Sequence, residues 1–174
     1  MAVEASAPGA LWCAFTVRAE VLGAAVIRTA SEETAANLIT ERASSFVCTA
    51  SVARRFSGVA ASAGSTPNRD AEHAREVVAA GEFAVAETGS VALNEPQHDR
   101  GLCFLAERLW LLVRASDVVP RLDEAMQRLR DLVAGGAAHP LLMSGPSRTA
   151  DIERVLTVGV HGPRAVVIVV IDEV

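Results

Sequence analysis

The residues with chemistry to offer are concentrated in three glycine-bearing blocks of this 174-residue chain: AETGS at 86–90, SGPSRTADIE at 144–153 and GVHGP at 159–163. In the first, Glu87 stands just before Gly89 and ahead of an apolar run, so its carboxylate belongs to a turn where glycine lets backbone approach closely. A carboxylate held beside backbone donors can attack an electrophilic carbonyl carbon. It can equally accept hydrogen bonds from turn amides or pair with an arginine. In the second block Ser144, Gly145, Ser147, Arg148 and Thr149 offer small residues, hydroxyls, backbone N–H groups and one guanidinium, a cradle for a carboxylate or phosphate. Arg148 would supply the bidentate fork that a lysine lacks. The competing reading has Thr149 capping a short helical turn that begins near Ala150, with Asp151 paired to Arg148 or Arg154. In the third block His161, between glycines and ahead of Pro163, either moves a proton or orients a carboxylate, or else bonds backbone and locks its loop.

Composition removes other mechanisms. All 16 basic residues are Arg, and the chain has no Lys and no Tyr, which excludes a Schiff-base lysine, a lysine-bearing phosphate loop and a tyrosine acid. A net charge of −5 with 4% aromatic residues excludes the basic, aromatic-interleaved face of a nucleic-acid binder. Cys13, Cys48 and Cys103 form no disulfide framework and no C-x-x-C site. With His73, His98 and His139 unpaired in spacing, a metal site is not expected. Cys103 reads as a small buried hydrophobe, and Asp99–Arg100 as a solvated loop with Arg100 a weaker anion contact. No G-x-G-x-x-G follows a strand, and no G-x-S-x-G elbow is present. The longest apolar run, 165–171, is far short of the roughly 20 residues that span a membrane. The first nine residues do not read as a secretory signal, so a cytoplasmic location is expected.

The elements that must position these blocks alternate. Residues 10–22 suit an amphipathic helix ended by Gly23, 24–28 a short strand, and 31–44 a helix started by Ser31 with Glu32 and Glu33 behind it. Strands are expected at 46–49, 90–94, 109–113, 141–144 and 165–171, the last covered on both faces. Helices are expected at 70–80 and from Pro120 to about Val133. The stretch 57–68, rich in Gly, Ser and Ala, reads as a loop, and 94–102 as a polar connection. The pattern is α/β, a mostly parallel sheet flanked by helices, in one domain over 1–174. With 32 Ala and 23 Val, its core is built from small and β-branched side chains.

The three blocks, in this order, resemble the signature of the LUD-domain (lactate-utilisation) family, above all its single-domain C members. The resemblance is tightest over 77–172. It implies the fold shared by ribose-5-phosphate isomerases, glucosamine-phosphate deaminases and CoA transferases; in the related CoA transferases a glutamate at a sheet-edge turn takes the acyl group, the role that one reading gives Glu87. It also implies a part in the bacterial oxidation of L-lactate to pyruvate, beside iron–sulfur subunits that carry the clusters this chain lacks the cysteines to bind. Within the blocks the candidates are Glu87 and His161 for catalysis, and Gly89, Ser144, Gly145, Ser147, Arg148, Thr149 and Asp151 around an anion. Glu87, Arg148, Thr149, Asp151 and His161 are expected to gather at one end of the sheet. Two other functions fit the same blocks: a stand-alone enzyme of acyl or phosphosugar chemistry, and a non-catalytic scaffold for an iron–sulfur partner.

Overall fold

The computed structural model describes residues 8–43, 45–62, 75–150, 156–158 and 162–172. Helices and strands alternate along them: α1 (Pro8–Val21), β1 (Ala25–Thr29), α2 (Glu32–Arg42), β2 (Val47–Cys48), α3 (Ala50–Arg55), α4 (Ser57–Ser62), β3 (Glu76–Val85), β4 (Ser90–Leu93) and α5 (Gln97–Leu105). Then come β5 (Arg108–Arg114), β6 (Val118–Val119), α6 (Leu122–Ala134), β7 (Leu141–Met143), β8 (Arg148–Ala150), β9 (Leu156–Val158) and β10 (Ala165–Ile171). The main sheet runs β1-β10-β5-β3-β4-β7, with β2 and β6 also on β3. Within this sheet all pairs are parallel except those β4 makes with β3 and β7, which gives the α/β, mostly parallel architecture expected of the sequence.

Alternate residues of the strands feed opposite faces, as the pleat requires. In β10, Val166, Ile168 and Val170 join Trp12, Phe15 and Ala19 of α1 and Leu102 and Cys103 of α5 in one core. Val169 and Ile171 face the other way, onto Ala35, Ala36 and Ile39 of α2, Val52 of α3 and Val59 of α4. A third cluster, Phe83, Val85, Ala92, Val119 and Ala125, lies under α6. β3 contributes to all three because its register slips between Gly81 and Phe83. The extra residue inverts the alternation, so that Val77 and Ala79 share a face with Ala84 and Ala86.

Helix starts and stops follow local chemistry. Ser31 caps α2 by accepting from the Thr34 amide, and the Thr34 hydroxyl accepts in return from the Ser31 amide. Gly23, at φ +89°, closes α1 with the paired bonds Ala24 N–H to Ala19 O and Gly23 N–H to Glu20 O of a Schellman turn.

Four expectations are corrected. The described part of 70–80 is the start of strand β3, because Val77–Ala80 are buried on both faces and need ladder partners, whereas a helix there would expose half of them. Residues 57–62 are helix α4, held by Val59 in the core, while the remainder of 57–68 lies outside the described residues. Residues 97–105 form α5, whose Leu102 and Cys103 are buried, so the polar look of 94–102 is that of a helix's outer face. Residues 148–150 pair with 156–158 as an antiparallel ribbon, so Ala150 is in a strand, while 151–153, where the expected helical turn would run, lie outside the described residues.

Candidate functional site

Register places two signature blocks at one end of the sheet. β3 ends at Val85, opposite Ser90, and β7 ends at Met143, opposite Val91. The turn at 86–89 and the loop from Ser144 therefore leave the sheet side by side, at the carboxyl ends of parallel strands where α/β proteins place their sites. Ser90 and Ser144 join them directly, Oγ to Oγ at 2.6 Å.

Both loops are pressed onto the end of α1 through glycine. Gly89 has φ +67°, and a Cβ there would stand 2.5 Å from the Ala19 nitrogen. Gly145 has φ +72°, and its Cβ would meet the Leu22 carbonyl oxygen at 2.7 Å. That same carbonyl accepts from Arg148 Nη2, a cation placed against the negative end of a helix. Ser147 is held from the third block: its N–H donates to Pro163 O at 2.9 Å, and Gly162 passes close over its side chain.

Glu87 turns away from this contact. Its exposed carboxylate accepts the Leu122 N–H at 2.7 Å, at the N-terminus of α6, while its own N–H donates to Pro120 O. The bond is to the first backbone amide of α6 and not to an amide of its own turn. Thr149 lies in β8 opposite Thr157. Gly89, Ser144, Gly145, Ser147 and Arg148 are thus gathered around the end of α1, with Glu87 in the same turn as Gly89 but directed at α6. Asp151 and His161 lie outside the described residues.

A second cluster has almost no local signature in the sequence. β2 runs parallel to β3 and ends opposite Val78; β4 runs against β3 along the same edge and ends opposite Gly81. Their carboxyl ends meet head-on beside Ala79 and Ala80. There Ser51 Oγ accepts the Ala80 N–H, replacing the missing strand, and the buried Glu95 carboxylate takes hydrogen bonds from Thr49 (2.7 Å) and Ser51. Asp99 Oδ2 accepts the Ala50 N–H, so the expected solvated loop is a cap on α3. Burial pushes the Glu95 carboxyl above the usual carboxylate range. The Asn-Glu-Pro that ends β4 is the only local signal; its partners lie 44 and 46 residues away.

Arg55 ties the same region together, reaching Glu82 at 2.9 Å and Asp117 at 2.7 Å. Cys103 is buried, and burial raises its thiol pKa. Among the described residues no three His, Cys, Asp or Glu side chains gather as metal ligands, and no helix is long and apolar enough to cross a membrane.

The comparisons with known proteins agree with this architecture. The LUD domain family model matches residues 49–171. The chain is 42% identical over 112 residues to "Lactate utilization protein C" of Bacillus pumilus, covering 60% of this chain and 46% of that protein. It is 39% identical over 107 residues to the protein of the same name in Geobacillus thermodenitrificans, covering 59% and 45%. It thus spans about half the length of the curated relatives it matches. A DUF162 family protein from Deinococcus radiodurans, solved by crystallography, superposes with a TM-score of 0.66 at 19% identity, over 95% of this chain and 98% of that one. The family match covers most of the chain and contains all three blocks: the chain belongs to the LUD domain family.

Proposed function

We propose that this protein works in bacterial lactate utilisation, as a subunit or accessory of the system that oxidises L-lactate to pyruvate, and that the loops at the carboxyl ends of β3 and β7 receive a small carboxylate. The observation that carries the reading is the convergence of the AETGS and SGPSR blocks on the end of α1, in a chain similar to proteins named for lactate utilisation. Arg148 is the cation of the cleft and Ser144 and Ser147 its hydroxyls; Thr149, Asp151 and His161 continue the same blocks. Electron transfer belongs to iron–sulfur partners, and this chain carries no cofactor of its own.

A ligand that binds the folded state raises its melting temperature by mass action. Screening lactate, pyruvate, sugar phosphates and CoA esters therefore separates the readings. Stabilisation by lactate or pyruvate that is lost in Arg148→Met supports the proposal. Stabilisation by CoA esters or sugar phosphates with turnover marks a stand-alone enzyme. No ligand effect together with capture of an iron–sulfur protein marks a scaffold.

A further inference from the structure

Among the described residues seven large apolar side chains are exposed, and three of them stand on α6: Leu122 (39%), Met126 (43%) and Val133 (54%). At about 100° per residue, these three and the partly buried Leu129 fall on one stripe of the helix, about 60° wide. To one side of the stripe, Ala125 and Leu132 join the cluster of Phe83, Val85 and Ala92 that seats α6 on the sheet. To the other side, Asp123 in the first turn and Arg130 two turns later share a flank. Both are engaged locally: Asp123 Oδ1 accepts from Arg121 and from the Glu124 amide, and Arg130 donates to Gln127. Glu124 and Asp131 lie on the far side of the helix, and Arg128 lies over the Phe83 ring, so no other charge of α6 borders the stripe.

Opposite charges at the two ends of one flank make the stripe self-complementary. Two such helices packed antiparallel about a two-fold axis set that flank of one copy against the same flank of the other. Leu122 then lies opposite Val133 of the second copy, and Met126 opposite Leu129. Asp123 comes within an arginine's reach of Arg130 of the second copy, and by symmetry the pair forms twice. The positive end of each helix dipole also lies beside the negative end of the other. We propose that α6 is a self-association surface, through which two copies of this chain pair with Leu122, Met126, Leu129 and Val133 as the seam and Asp123 facing Arg130 along its flank. One helix pair of this length buries less than the roughly 1,600 Å² of a standard stable interface, so the dimer forms only at high protein concentration. The proposal does not depend on the lactate reading.

Sedimentation equilibrium from micromolar to millimolar protein reads the association. Wild type should pass from monomer to dimer as concentration rises. Met126→Glu, which puts a charge into the seam at an exposed position, should stay monomeric. Asp123→Arg and Arg130→Glu each set like charges together twice, so each variant alone should associate at least about tenfold more weakly than wild type. Mixed in equal amounts, the two variants regain both attractive pairs and should form a mixed dimer about as tight as that of wild type. If Asp123→Arg does not fold, wild type, Met126→Glu and Arg130→Glu decide by themselves. A wild type that stays monomeric at millimolar concentration overturns the proposal. So does a dimer that survives Met126→Glu, or two folded charge variants that fail to associate when mixed.

Discussion

Gly145 lies so close to Leu22 that a β-carbon on it would stand 2.7 Å from the Leu22 carbonyl oxygen. The signature glycines are therefore packing devices: they seat the loops that leave β3 and β7 on the end of α1, and the polar residues beside them are positioned as a result. Gly145→Ala and Gly89→Ala should each destabilise by about 2–4 kcal/mol, combining a left-handed backbone with overpacking. Gly136→Ala is the control, since Gly136 also has positive φ but open space around it, and should cost only about 1 kcal/mol. Urea unfolding of the three variants checks the order.

Glu87 accepts the first amide of α6. Glu87→Ala should lose about 1 kcal/mol, the usual value of a helix N-terminal acceptor. Glu87→Gln, which keeps a carbonyl oxygen in place, should lose less. Equal losses, measured by chemical denaturation, would refute the capping role.

Arg55 bridges Glu82 and Asp117 with all three side chains largely shielded, at 26%, 18% and 27% exposure. Arg55→Ala strands two half-buried carboxylates and should cost about 2–3 kcal/mol, below the range for fully buried pairs. Arg55→Lys should recover only part of this, because one ammonium cannot serve both partners as the planar fork does. Thermal unfolding of both variants is the check.

Hydrogen bonding to Arg75 holds the Glu107 carboxyl below its ordinary range. A depressed carboxylate stabilises above its unfolded pKa, and the gain disappears as pH falls through the folded value. The melting-temperature difference between wild type and Arg75→Gln should therefore be small at neutral pH, since the pair is exposed, and should shrink toward zero in acid. A difference that widens on acidification would contradict the assignment.

Much of this architecture was legible because its signals are local. Gly23 after an apolar run, Ser31 before two glutamates, and AVVIVVI each announce an element within a few residues. The turn that holds Glu87 was legible for the same reason. What the sequence concealed depends on distance along the chain. Val77–Ala80 look the same in a buried helix and a buried strand until β2 and β5 supply their ladders. The Glu95 site needs Thr49 and Ser51 brought across from another strand end. Arg148 gave no sign of its bond to Leu22, 126 residues away.

Growth of the source organism on L-lactate as sole carbon source, with the gene deleted and then restored, tests the functional claim most directly. The account predicts slow or absent growth on lactate after deletion, normal growth on glucose, and recovery with the wild-type gene. Growth on lactate equal to that of the parent strain would contradict it.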